Sequence, residues 1–286
     1  AMGEGVGAET AKELLWILSL LAPGGVEVDL ALAMLRRRTG VPEGAQEAAI
    51  RVLHKFGLCS EVGGKLVVHR VVMAYAREQC VKSTSERVAA LLEELEACSC
   101  AFDQDRAETW AGCLGMATHV QSLDNHASAV QMERAQVVLL GRLLSRTTEC
   151  LWLNGSFEMS LDHGERLLRH NLFVGTRMDV AATLNNIGSV LESQGKYSEA
   201  MVKYEESLAI KVEMVGRKHM DATTTLNGIG SVLKSQGKYS EAMVKYEESL
   251  AIKVEVVGRK HMGVATTLNH IGSVLASQGK YSEAMV

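Results

Sequence analysis

Along the last third of the chain, apolar residues recur at intervals of three and four. Leu184, Ile187, Gly188 and Leu191 form one such run; Tyr197, Ala200, Met201, Tyr204, Leu208 and Val212 form the next. That spacing gathers the apolar side chains on one face of a helix, so the pattern predicts two amphipathic helices. Gly195 stands between them, where a residue that tolerates positive φ ends a helix. Gly216-Arg217-Lys218-His219 closes the pair with a polar loop, and the pattern then begins again. Met178–His219 and Met220–His261 differ at six of 42 positions, and Met262–Val286 starts a third copy. A fixed period of this length predicts a solenoid, whose units stack because none buries its apolar face alone. A solenoid offers a long repetitive surface without an enclosed pocket, which points to protein binding and away from catalysis.

The first eighty residues carry a different pattern. Thr10–Leu21 and Asp29–Arg38 read as amphipathic helices on either side of Pro23-Gly24-Gly25, and Gly44–Phe56 reads as a third. Leu58–Val62 and Lys65–Val68 are apolar-rich runs around Gly63-Gly64, which predicts a hairpin. His69–Glu78 returns to a helical spacing. Three helices, a hairpin wing and a closing helix make a small winged-helix domain. Ser85–Cys98 then predicts one helix of a spacer.

A divergent copy of the repeat precedes the regular ones. Leu144, Leu151, Gly155, Phe157, Ser160 and Leu167 match Leu184, Leu191, Gly195, Tyr197, Ala200 and Ser207 with a two-residue slip. An atypical first unit is what a capping repeat looks like.

The large–small order Leu184, Ile187, Gly188, Leu191, Tyr197, Ala200, Tyr204, Ser207 resembles the tetratricopeptide repeat (TPR). The 42-residue length, the Gly-Lys-Tyr-Ser-Glu-Ala run and Tyr-Glu-Glu-Ser-Leu-Ala-Ile resemble its kinesin-light-chain-like subclass. In that family another face of the first helix lines the concave surface of a right-handed solenoid. The resemblance places Ala182, Asn185, Ser189, Glu192 and Ser193 there, with Thr224, Asn227, Ser231, Lys234 and Ser235 from the second copy. Thr266, Asn269, Ser273, Ala276 and Ser277 come from the third. Asn185, Asn227 and Asn269 would then form a ladder, and an amide, being donor and acceptor at once, can read a peptide backbone of any sequence. Five of the six differences between the full copies fall in the first helix, and two of them, Ala182/Thr224 and Glu192/Lys234, lie on this face.

The segment Val67-Val68-His69-Arg70-Val71-Val72, followed by Ala76-Arg77, resembles the Ile-His-Arg-Leu-Val motif that ends the winged helix of NB-ARC nucleotide switches. These are STAND-class NTPases and include NOD-like receptors. Glu108-Thr109-Trp110 and His119-Val120 are similar to the spacer helix that precedes TPRs in such proteins. The resemblance implies the sensor region of a cytoplasmic signalling protein of innate immunity. Its partners would be a peptide or protein ligand and its own NB-ARC domain. It implies for His69 contact with the β-phosphate of ADP bound by that domain. No Gly-x-x-x-x-Gly-Lys-Ser/Thr occurs in the chain, so the ATPase core of that family is absent from it.

Other chemistries find little support. Residues 1–80 balance nine acidic against nine basic side chains, and only Arg36-Arg37-Arg38 clusters, so nucleic-acid binding is not expected. The six cysteines include Cys98-Ser99-Cys100 but no second pair at zinc-ligand spacing; they read as reduced thiols. No apolar run reaches the roughly 18 residues of a membrane helix. The scattered histidines compose no catalytic set, and no cofactor or metal is expected.

The expected organisation is mainly α: a leader or expression scar over 1–9, a winged-helix domain over 10–80, a helical spacer over 81–130, and a TPR solenoid over 131–286. The solenoid divides into a divergent repeat (131–177), two full repeats (178–219 and 220–261) and a truncated one (262–286). A kinesin-light-chain-like cargo adaptor would explain the repeats but not the winged helix. A TPR-bearing transcriptional regulator would need a basic recognition helix that the sequence lacks.

Overall fold

The computed structural model describes residues 2–21, 24–68, 72–73, 76, 84–99, 110–127 and 132–284. The chain divides into two compact units, Ala1–Cys150 and Leu151–Val286.

The first unit opens with α1 (Met2–Leu20), β1 (Val26–Glu27), α2 (Val28–Thr39), α3 (Glu43–Lys55), β2 (Cys59–Val62) and β3 (Lys65–Val68). The strands form an antiparallel sheet in the order β1-β3-β2, with Val62 opposite Lys65 across the predicted turn and Val26 opposite Leu66. Hydrophobic burial holds the helices to the sheet: Leu14, Ile17, Leu18 and Leu21 meet Met34, Leu35, Leu53 and Leu66, all at 2% exposure or less. The expected hairpin is present. β1 was not expected, because two residues wedged between a Gly-Gly turn and a helix carry no periodicity. α1 also begins at Met2 and not at Thr10, so the expected leader over 1–9 is helical from residue 2 onward.

The predicted helix over 69–78 falls mostly outside the described residues, and His69 with it. The arginine cluster at the end of α2 is occupied within the unit. Arg37 pairs with Glu94 at 3.0 Å, and Arg38 pairs with Glu13 at 2.7 Å while lying over the Trp16 ring. Among the described residues three further helices follow: α4 (Thr84–Ser99), α5 (Trp110–Ala127) and α6 (Arg134–Leu153). α5 is fastened to the end of α1 by Ser122, whose hydroxyl donates to the Leu20 carbonyl at 2.9 Å.

The second unit is a run of antiparallel helix pairs. α7 (Phe157–Val174) leads into α8 (Arg177–Ser193) and α9 (Tyr197–Val215). α10 (Met220–Ser235) and α11 (Tyr239–Val257) follow, then α12 (Met262–Ser277) and the short α13 (Tyr281–Ala284). Each tight turn between paired helices uses a glycine with φ between 74° and 77°: Gly195, Gly237 and Gly279. At the first of them Gly195 N donates to Glu192 O and Lys196 N to Leu191 O, both at 2.9 Å, satisfying carbonyls that the helix end leaves open.

The predicted apolar face is the core. Ile187, Leu191, Ala200 and Tyr204 of one repeat join Ile229, Leu233, Ala242 and Tyr246 of the next, with Val274 from α12. Tyr197 and Met201 pack partly buried against this cluster. Of the six residues matched in the divergent copy, four are buried, Leu144 at 0%, Leu151 at 2%, Ser160 at 0% and Leu167 at 6% exposure, whereas Phe157 is half-buried and Gly155 is exposed.

Candidate functional site

Helices α8, α10 and α12 carry the residues expected to line a groove. Because the helices are near copies stacked in register, equivalent side chains come to lie one repeat apart. Ala182, Thr224 and Thr266 are exposed, as a ligand face requires. The asparagines behave differently. Asn185 is only 8% exposed, and its Oδ1 accepts from the Thr225 hydroxyl at 2.9 Å. Asn227 is half-buried and donates to Thr267 at 3.3 Å, whereas Asn269 is exposed. The first two rungs therefore bond the next repeat. Stacking in register brings a buried threonine opposite each amide, and a buried polar group must find a partner.

The two alternating charges also reach across. Glu192 accepts from Tyr204 Oη at 2.9 Å and from the Ser231 hydroxyl. Lys234 donates to Ser273 in the same manner. Ser189 bonds the Tyr204 hydroxyl at 3.0 Å. Thus the polar row along α8, α10 and α12 serves two purposes: its inward atoms tie consecutive repeats, and its outward atoms face solvent.

The structure adds residues that periodicity did not select. Lys211 and Lys253, near the ends of α9 and α11, are 6% and 7% exposed. Lys211 Nζ donates to Thr225 Oγ1 at 2.8 Å, and Lys253 Nζ to Thr267 Oγ1 at 2.9 Å. In the divergent repeat the matching position is Asn171, whose Nδ2 donates to Thr183 Oγ1 at 2.9 Å. Thr183, Thr225 and Thr267 are the same position in three units, so each joint has one threonine met by a long polar side chain. The signal available in the sequence was a lysine inside an apolar run, Ala-Ile-Lys-Val, repeated without change. Burial pulls both lysines below the usual ammonium range; nearby Asp221 partly restores Lys211. Burial also pushes the Tyr246 phenol up to about 12.

A depression of about 630 Å³ opens beside this network, lined by Ala182, Asn185, Asn186, Thr224, Lys211 and Lys253 among others. Its open mouth and mixed lining, with amide, hydroxyl and charged groups beside Met178, Ala182 and Met220, suit a peptide segment. Among the described residues no group of three or more His, Cys, Asp or Glu side chains could hold a metal ion. No described helix is long and apolar enough to cross a membrane.

Two tetratricopeptide-repeat family models match the chain, one over residues 180–221 and the other over 220–285. Residues 180–285 are tetratricopeptide repeats. Two of the solved structures that share the fold of the chain are the following. BtubC (BKLC) from P. vanneervenii is 18% identical, with 74% of this chain and 82% of that one covered and a TM-score of 0.54. Aspartyl phosphate phosphatase F from Bacillus subtilis is 10% identical, with 98% and 71% covered and a TM-score of 0.52. A STAND protein with a tetratricopeptide repeat sensor from Pyrococcus horikoshii aligns over 96% of this chain and 55% of that one. It is 12% identical at a TM-score of 0.39, too low to carry an argument. No curated protein matches the sequence.

Proposed function

We propose that the TPR segment is the ligand-sensing part of a nucleotide-switch signalling protein, and that it binds a peptide or protein along the face of α8, α10 and α12. The observation that carries the binding reading is the division of labour within the repeats. The second helices of the two full copies differ only at Met214/Val256 and the other five differences fall in the first helix, whose exposed positions Ala182 and Thr224, with Thr266 of the third copy and the open depression beside them, face solvent. Asn269 and the outward edges of Asn227, Ser231 and Ser273 complete the contact row; the buried amide of Asn185 supports it from below.

The order of elements in the first unit supports the switch reading. Helix, strand, two helices and a two-stranded wing closed into a three-stranded sheet suit a winged-helix domain over 10–80, followed by a helical spacer over 81–130. His69 would face nucleotide bound to the NB-ARC domain. Arg37 and Arg38, engaged by Glu94 and Glu13, argue against a DNA-binding role for this domain. The segment is read as non-enzymatic and cytoplasmic.

Selection of a phage-displayed random-peptide library, followed by fluorescence-polarisation titration of the enriched peptides, tests the binding face. Ala182→Trp and Thr224→Trp fill the mouth of the depression without entering the core, and each is expected to abolish binding with the thermal melt unchanged. Enriched peptides that bind both variants as well as the parent protein would place the ligand on another surface.

A further inference from the structure

The two joints between regular repeats have the same geometry and opposite electrostatics. At the first, Lys211 on Thr225 has Asp221 nearby, and the charge crossing to the next helix is Glu192. At the second, Lys253 sits on Thr267, but the position of Asp221 is Gly263 and the crossing charge is Lys234, bonded to Ser273. Gly228 of the first joint is replaced by His270, whose ring stacks on Tyr246 with centroids 5.2 Å apart and planes 6° from parallel. One lysine against two carboxylates becomes two lysines and an imidazole.

Both lysines are anchored on α12, the helix that carries His270. Thr267 and Ser273 lie three residues before and three residues after His270 on α12, so the two ammonium groups dock on either side of the imidazole. Their proximity is also felt in the ring's titration: burial first, then Lys253 and Lys234, hold it below the usual histidine range. Among the described residues neither ammonium forms an ion pair with a carboxylate, and Glu192 is already bonded to Tyr204 and Ser231. Lys253 is 7% exposed with a single hydroxyl acceptor, an arrangement that leaves a buried cation uncompensated. Asn227, which shares Thr267 with Lys253, has a buried Oδ1 without a partner. Exchanging the amide's oxygen and nitrogen, as the bond of Asn185 to Thr225 suggests, would turn that orphan into another donor.

We propose that the joint between α10 and α12 is an oxyanion site, holding a carboxylate or phosphate group between Lys234 and Lys253 with His270 as a further donor. The site deepens the ligand-face reading above, on which it rests for its biological use, but anion binding is measurable without any peptide. Of the three substitutions that create it, Asp221/Gly263 and Glu192/Lys234 both shift charge toward positive and Gly228/His270 adds the imidazole; the first joint lacks each of them.

The test follows the His270 ring protons by NMR during separate titrations with inorganic phosphate and with glutarate. A saturable shift, with the titration midpoint of His270 moving upward as the anion offsets the two lysines, is expected for at least one of them. The anion that saturates at lower concentration identifies the phosphate or the carboxylate as the natural group. The variant Lys234→Glu with Gly263→Asp keeps the probe histidine and installs residues the first joint already accommodates, so it should fold. It should weaken the anion by about tenfold or more. A response that never saturates with either anion, or one equal in the variant, overturns the site. Library peptides that still bound through Ala182 and Thr224 would then leave the ligand-face reading standing.

Discussion

The ring of Tyr204 lies so close to Gly228 of the following repeat that a β-carbon there would stand 2.6 Å from Cζ. On its other side the same ring covers Gly188 of its own repeat, where a β-carbon would stand 2.8 Å from Cε1. The phenol is further held by Ser189 and Glu192, so it cannot swing away. Alanine at either glycine favours the helix by about 1 kcal/mol but forces this ring or a backbone to move.

Gly228→Ala is therefore expected to destabilise the repeat segment by about 1–3 kcal/mol, read as a lowered midpoint in urea unfolding. A midpoint raised by the substitution would mean that the aromatic ring is free to yield.

Thr225→Val should be more damaging than its size suggests. Valine keeps the shape but removes the hydroxyl that receives Lys211 and is donated to Asn185, stranding an ammonium and an amide inside the joint. A loss of about 2–4 kcal/mol is expected, against about 0.5 kcal/mol or less for Thr224→Val on the exposed face next to it. Equal melts for the two variants would show that the network contributes nothing.

The repeats were legible because their core obeys a period: Leu184, Ile187, Leu191 and Tyr204 are buried where the spacing of three and four puts them. The polar face was only partly legible. Asn185, Glu192 and Lys234 were assigned to ligand, yet their inward atoms bond Thr225, Ser231 and Ser273 one repeat on. Helical periodicity reports which face of its own helix a side chain occupies; it carries no information on what the neighbouring unit presents at that height. Lys211 and Lys253 escaped for the same reason, since a lysine near a helix end reads as solvated until the next helix covers it. In the first unit the apolar-rich runs flanking Gly63-Gly64 showed β2 and β3, whereas β1 is fixed only by pairing with Leu66 and Lys65.

Alanine substitution should separate the rungs of the asparagine row. Asn185→Ala is expected to cost about 1–3 kcal/mol of stability, because the Thr225 hydroxyl loses its buried acceptor. Asn269→Ala, on an exposed side chain, should leave the melt within about 0.5 kcal/mol and act on ligand binding alone. Similar thermal melts for both variants would contradict the placement of Asn185 between repeats.

Tyr246 links stability to alkaline pH. Burial, with Glu192 adding to it, raises the phenol from its ordinary value of 10.0 to about 12 in the folded protein. A folded value above the unfolded one means that its contribution is fully present below pH about 10 and is lost as pH rises through about 12. Roughly 2–3 kcal/mol should disappear over that window. Lys211 and Lys253 change in the opposite sense, so the comparison is with Tyr246→Phe, whose stability should fall less steeply across the same range. Parallel curves for the two proteins would contradict a buried, protonated phenol.

The threonine at each joint has a consequence for how the molecule assembles. The bond from Thr225 to Asn185 closes a loop of 40 residues, and that from Lys211 to Thr225 a loop of 14; the later joint repeats these separations. Every tie of this network thus connects a repeat to its immediate neighbour. Lengthening such an array adds units without lengthening any loop that must close, so the chain-entropy barrier to ordering stays that of one helical pair meeting the next. Order can start at any joint and spread outward in both directions.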